Sequence, residues 1–441
     1  MRPDNQVRPL YENICQSCKG LNITAQNLPS DYLDEITKAF NQTLKRLYNN
    51  QTPNNRMLEA SGKLLAEGVS QNFGSVTTDW DTPDVEMLVE LSRNVWHFSA
   101  AKNYQQLKDL SLALTDESGK LREWSDFRDA AQKIGVKYNE RWMRTEYDQA
   151  ISGATSAARW KEYEKNAEFM PNLQYQTVGD ENVRDEHQML DGIVRPMSDS
   201  FWDSHYPPNG WGCRCEAIQI PNGLARVTPS ENIPRTPVPE MFRTNVAKTG
   251  LIFPKGHPYY RGIPQSELRK AIAHLPPENT YIRVAVGNAE IDVHPLHGER
   301  ELSKNLDAVN ALLQIEPEAE IKLLPIIQVE EKTRAMDISA REKFLPKNYL
   351  QQFPTKNPDM LFNGTVVEIE SPTGSKRSIQ HAVERGIKQS NTLLIHIPDN
   401  IEMNDAYRIV NGHFRQHYSS AEVDIYLINS REKREYIKQK R

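Results

Sequence analysis

The sequence predicts a multidomain chain in which a mainly α N-terminal half is followed by an α/β (α+β) C-terminal domain. Length is the first reason: 441 residues exceed what one ordinary hydrophobic core holds, so two or three domains are expected. Periodicity is the second. Apolar residues recur every three or four positions in stretches of residues 30–164, whereas the C-terminal part alternates short β-rich runs with helical ones. The third is a proline cluster between the halves, Pro221, Pro229, Pro234, Pro237 and Pro239, where a missing N–H and a ring clash interrupt any helix. These features divide the chain into a helical N-terminal region (1–80), a second unit (81–222), a Pro-rich linker (223–264) and a C-terminal domain (265–441).

Within the first half, Ser30 is expected to cap a helix whose Leu33, Ile36, Phe40, Leu44 and Leu47 form one buried face. A second helix is expected from near Asp84, with Val85, Leu88, Leu91 and Val95 on one stripe. A third, from about Tyr138 to Glu164, carries Ala150, Ala154, Ala157 and Ala158, small enough for a neighbouring helix to approach closely. The stretch LIFPKGHPYYRGIP reads as an ordered connector with no core of its own. In the C-terminal domain, strands are expected at Tyr281–Val286, Ile321–Val329, Thr365–Glu370, Thr392–Ile397 and Glu422–Ile428. Helices are expected at Glu301–Gln314 and Lys376–Ser390, and the basic tail REKREYIKQKR reads as solvated.

Composition narrows the function. Charged residues make up 26% and the formal net charge is −5, which argues against a wholesale nucleic-acid coat. Mean hydropathy is −0.68, and no run approaches the roughly 18 apolar residues of a membrane span. MRPDNQVRPLYENICQ also lacks the apolar core of a secretion signal, so synthesis in the cytoplasm and no membrane partner are expected. Four cysteines, spaced C-x-x-C (Cys15, Cys18) and C-x-C (Cys213, Cys215), do not make a disulfide framework.

Chemistry concentrates in two segments. In Tyr175–Cys215, His187, His205, Cys213 and Cys215 provide the two imidazoles and two thiolates of a tetrahedral structural zinc site. Cys15 and Cys18 joined to Cys213 and Cys215 make a four-cysteine alternative. The bland alternative is hydrogen-bonded histidines and buried small-hydrophobe cysteines. Pro207-Pro208-Asn209-Gly210 reads as a tight turn with Asn-Gly at positive φ. Phe201, Trp202, Tyr206 and Trp211 are expected to hold it down, and Arg184, Asp185, Asp191 and Arg214 to pair internally. With no nucleophile–base pair, the segment reads as a packing module.

In the second segment, Asp359 precedes an Asn363-Gly364 turn, and a strand then carries Glu368 and Glu370 on one face. Carboxylates so placed hold Mg²⁺ or a similar hard cation that activates water and offsets phosphate charge. The alternative is a solvated strand face.

Both segments resemble known families. Gly179, Asp180, Val183, Arg184, His187, Leu190, Asp191 and Gly192, followed by Phe201-Trp202, His205-Tyr206-Pro207-Pro208-Asn209-Gly210-Trp211 and Cys213-Arg214-Cys215, resemble the motif of the phage Mu F-like / SPP1-type minor head proteins. Arg144-Thr145-Glu146-Tyr147 is also similar, and the likeness covers roughly residues 85–220. It implies a minor protein of a phage or prophage head, located in the virion head, acting in head morphogenesis and contacting portal and capsid proteins.

Residues of roughly 295–430 resemble the PD-(D/E)xK nucleases, and more closely the tRNA-nuclease C-terminal domain of CdiA-type contact-dependent inhibition toxins. Asp359 and Glu368 match the paired acids, and Glu370 stands where a lysine is usual. Lys388 is the candidate for the missing charge, and Glu342 or Glu331 for an upstream acid. The resemblance implies a divalent metal, tRNA or other nucleic acid as substrate, and an immunity protein as partner. Two alternatives stay open: an inactive or binding-only relative in a purely structural capsid protein, and a metal-independent barnase/EndoU/colicin-like RNase using Arg377, His381, Lys388 or His396.

Overall fold

The computed structural model describes residues 28–74, 76, 81–236, 238–287, 289–328, 335–418 and 422–437. The chain forms two compact units, one from residues up to 78 with 90–268, the other from 79–89 with 269–441. None of the described helices is long and apolar enough to cross a membrane.

The first unit is helical. Helix α1 (Ser30–Tyr48) buries Tyr32, Ile36, Phe40 and Leu44, while Leu33 is exposed, so its face is rotated from the one expected. Ser30 is the first helical residue, and Pro29 occupies the cap position with no side-chain hydrogen bond. Proline's fixed φ already sets the extended entry, so the hydroxyl is not needed as an acceptor. Helix α2 (Arg56–Gly74), unforeseen because its apolar residues are interleaved with small ones, packs against α5 (Met143–Lys165). There Gly68 lets the Tyr147 ring approach to where a Cβ would stand only 2.7 Å away. Helix α3 (Thr82–Leu112) carries Trp96, buried against Gly62 of α2. Helix α4 (Trp124–Val136) runs through a π-helical turn, Lys137–Trp142, into α5.

After α5, strand β1 (Asn172–Gln176) lies between β2 (Val194–Pro196) and β3 (Glu216–Ile220), all antiparallel. The segment read as a linker then contributes to the interior. Phe253 is 2% and Tyr259 0% exposed, with the Phe253 ring stacked 3.7 Å from that of Phe98. Asn94 holds the Phe253 backbone on both sides, accepting from its N–H (2.8 Å) and donating to its C=O (3.0 Å). Proline does stop long helices here, but the short elements between prolines still carry apolar side chains that bury. Residues 222–227, by contrast, are largely exposed, with Leu224 at 75%.

The second unit is built on an eight-stranded mixed sheet in sequential order: β4 (Ile282–Val286), β5 (Ala289–Val293), β6 (Ile321–Leu323), β7 (Met360–Phe362), β8 (Thr365–Glu370), β9 (Thr392–His396), β10 (Asp424–Ile428) and β11 (Lys433–Ile437). β6 stops at Leu323, well short of the Val329 expected, and 329 lies outside the described residues. Helix α8 of this unit is Leu302–Ile315, α9 is Lys376–Gly386 and α10 is Met403–His417, counting the short helices Asp185–Gln188 (α6) and Trp202–His205 (α7). α9 and α10 pack Ile379, Val383, Val410 and Phe414 onto Leu393, Ile395, Ile425 and Leu427 of the sheet. β7 and β8 form a hairpin whose turn has positive φ at Asn363 (48°) and Gly364 (79°), as that dipeptide favours. β8 then changes partner: Thr365–Val367 pair with β7, Glu368–Glu370 with β9.

Candidate functional site

In the first unit the motif segment is mostly scaffold. The turn contains a cis peptide between Pro207 and Pro208, and the residue at positive φ is Gly212, not Asn209 or Gly210. Asn209 is fully buried instead, accepting from the Tyr175 hydroxyl (3.1 Å) and donating to Tyr206 O (3.3 Å). Tyr206 donates to Ser156 O on α5 (3.0 Å) and meets Trp160 edge-on at 4.8 Å. The expected charge pairs are redistributed. Arg214 clamps Asp180 at 2.6 and 2.7 Å, Arg184 donates to Trp211 O, and Asp191 accepts from the N–H and hydroxyl of Thr177.

Glu146 of the Arg-Thr-Glu-Tyr stretch is fully buried, ion-paired with Lys102 (2.5 Å) and accepting from Tyr259 OH (3.0 Å). Burial lowers the Lys102 ammonium below its ordinary range, against the opposing pull of Glu146. The family-like motif therefore marks a buried ion pair of α3 with α5.

Of the four expected soft ligands, three meet. The His187 Nδ1 lies 3.7 Å from the Cys213 sulfur and 3.5 Å from that of Cys215. Among the described residues this is the group of His, Cys, Asp and Glu whose ligand atoms converge within 4.8 Å. His205 is elsewhere: its ring stacks on Phe201 (4.6 Å) and its Nδ1 contacts Ser204 Oγ (2.8 Å), while its Nε2 faces Thr236 Oγ1 (3.4 Å). It sits at the end of α7, and that helix turns it onto Phe201 four residues before, away from the cysteines. Burial lowers its pKa. Cys15 and Cys18 lie outside the described residues.

In the second unit the expected acids come together by register. The β7/β8 ladder pairs Met360 with Val367, and one further step sets Asp359 opposite Glu368. Both are buried, at 8% and 7% exposure, so the solvated-face alternative does not describe Glu368, and Glu370 is half-buried. Asp359 accepts from Ile369 N–H (2.9 Å) and from the Asn305 amide of α8 (3.0 Å). Asn305 is oriented in turn by His297 Nε2 (3.1 Å), whose Nδ1 donates to Leu324 O (2.7 Å). One Glu368 oxygen, Oε2, is buried with no hydrogen-bond partner. Burial, then the charges of Asp359, Glu370 and Glu301, push the Glu368 carboxyl well up; burial likewise raises Asp359.

Glu370, also raised by burial, is clamped by Arg385 of α9 at 3.1 and 2.5 Å. Lys388 lies exposed beyond the end of α9, and the cation acting on Glu370 is Arg385. The helix ends at Gly386, where a Cβ would stand 2.8 Å from Leu393, and Lys388 follows it by two residues. Glu342 is exposed at the end of a short helix, Ile338–Arg341, and Glu331 lies outside the described residues. The upstream acid acting on Asp359, Glu368 and Glu370 is Glu301, at the N-terminus of α8. The residues of the metal-independent reading lie on or just beyond α9 and on β9. Arg377 and His381 are exposed on α9, while His396 is lowered by burial and faces the charges of Asp307 and Asp399.

Comparison with known proteins bears on the first unit. The family described as "Phage Mu protein F like protein" matches residues 100–218. A putative capsid assembly protein F of Escherichia phage Mu is 40% identical over 75 residues, 17% of each chain. A Mu-like prophage FluMu F protein of Haemophilus influenzae is 39% identical over 62 residues, 14% of this chain and 15% of the relative. The matches thus span about a sixth of either relative's length, and no solved structure matches. Residues 100–218 of this chain carry a phage Mu F-like domain.

Proposed function

We propose that the chain is a minor head protein of a phage or prophage. It acts in head assembly, in contact with portal and capsid proteins, and carries a nuclease-like effector as its C-terminal unit. The head role rests on the 40% identity over 75 residues with the Mu capsid assembly protein and on the family match over residues 100–218, which hold Trp211-Gly212-Cys213-Arg214-Cys215. Detection of the chain in purified heads is expected, and heads assembled normally without it would refute that role.

The nuclease reading rests on the facing pair Asp359 and Glu368 with the unpartnered Glu368 Oε2. Such a buried pair, whose carboxyls are raised first by burial and then by neighbouring acids, fits a hard divalent cation, which offsets that negative charge. When bound, the ion would supply Lewis-acid polarisation of phosphate and water. Asn305 and His297 hold Asp359 in place, and Arg385, fixed by Glu370, brings positive charge to where the resembled nucleases have lysine. The substrate is tRNA or another nucleic acid, and an immunity protein would protect the producer.

The full-length protein is expected to cut tRNA or DNA with Mg²⁺ or Mn²⁺, and Asp359→Ala and Glu368→Ala to abolish both cleavage and toxicity on expression. Intact substrates with every metal, together with harmless expression, would leave a binding-only unit. Cleavage that persists in EDTA would instead support the metal-independent reading.

A further inference from the structure

We propose that His187, Cys213 and Cys215 hold one zinc ion through three protein ligands, with the fourth coordination position facing a small cavity rather than His205. Zinc–sulfur bonds of about 2.3 Å and zinc–nitrogen bonds of about 2.0–2.1 Å at tetrahedral angles require an S···N separation of roughly 3.6 Å. The two separations here are 3.7 and 3.5 Å. Two thiolates and an imidazole within this spacing are the soft donor set that selects zinc over magnesium or calcium.

The surroundings fit a thiolate site. The Asn209 backbone N–H is directed at the Cys213 sulfur, an outer contact of the kind that orients metal ligands. The cavity beside the three residues has a volume of about 20 Å³ and is lined by Arg184, Arg214, Val183 and Gly212. One water needs about 10–15 Å³, so a single water or hydroxide fits. With two thiolates neutralising the ion, the neighbouring arginines favour an oxygen donor that is neutral or anionic. The site ties α6 to the segment entering β3, across 26 residues of sequence.

The test uses the full-length protein purified without chelator. About one zinc per chain is expected, lost in His187→Ala, Cys213→Ser and Cys215→Ser, and retained in His205→Ala and in a Cys15→Ser/Cys18→Ser double variant. Replacing zinc by Co²⁺ in the wild-type chain should give thiolate-to-metal charge-transfer absorption and the intense visible bands of a four-coordinate ion. This readout needs no variant to fold. Wild-type protein without stoichiometric zinc and without the cobalt spectrum would overturn the proposal. So would loss of the ion in His205→Ala, or in the Cys15/Cys18 variant, since either would place the ligands elsewhere.

Discussion

Replacing Phe253 by alanine tests the claim that residues beyond the proline cluster belong to the first unit's core. Its side chain is 2% exposed and stacked on Phe98. Truncating a buried phenylalanine costs about 3–5 kcal/mol, from lost transfer energy plus the cavity left behind. In a unit of this size each kcal/mol moves the midpoint by roughly 2–4 °C. A fall of about 6–20 °C is therefore expected in the thermal transition of the first unit, followed by circular dichroism. Phe253→Leu keeps most of the buried area and should fall much less. Leu224→Ala, at a side chain 75% exposed in the same stretch, should stay within about 0.5 kcal/mol of the parent. A chain ending at residue 222 should lose the transition's cooperativity. If Phe253→Ala and Leu224→Ala melt alike, the stretch is a tether after all and the packing argument fails.

Lys102→Met should destabilise the first unit by about 3–5 kcal/mol, because Glu146 is then left buried without its ion-pair partner. The double change Lys102→Met with Glu146→Leu should recover most of this in urea unfolding. Glu368 has a folded pKa above its unfolded value, so its stabilising protonated form is fully present below the unfolded pKa and is lost as pH rises. Glu368→Gln should therefore gain thermal stability over the parent increasingly between mildly acidic and alkaline pH, and a gap that does not change with pH would contradict the assigned burial. Asp337 behaves oppositely. Burial opposes its ionisation, but hydrogen bonds from Ala340 N–H and His274 hold its carboxyl below the usual range, so its contribution is lost as pH falls through that lowered pKa. Asp337→Asn keeps a capping oxygen but loses the charge facing His274, so it should cost at most about 1 kcal/mol at neutral pH and nothing at strongly acidic pH, read from melting midpoints.

Features set by neighbours in the chain were legible in the sequence. The Asn363-Gly364 turn, the strand carrying Glu368 and Glu370, and the alanine face of α5 all follow from spacing of a few residues. Asp359 facing Glu368 follows from the same hairpin arithmetic. What escaped depends on distant partners. Nothing near Phe253 announces that Asn94, 159 residues away, will satisfy its backbone, so prolines alone suggested a tether. His205 belonged to the ligand set by residue type, but the short helix α7 points it at Phe201. Glu301 went unnoticed because an acid at a helix start is common, and only the sheet brings Asp359 and Glu368 within its field.

The π-helical turn Lys137–Trp142 fixes a phase relation along the rod of α4 and α5. Each residue of an α-helix turns the side chains by about 100°. A one-residue insertion in that turn, which already holds one residue more than an α-helical turn, would swing all 23 residues of α5 around their axis. Glu146 would leave Lys102, and the alanine face would leave its neighbours. Homologous chains should therefore vary freely in length between Leu112 and Trp124 or in residues 222–227, yet between Phe127 and Ala150 keep the same count, or one residue fewer where the turn is α-helical. That spacing would identify the domain in sequences too divergent for the tryptophan and cysteine motif to be recognised.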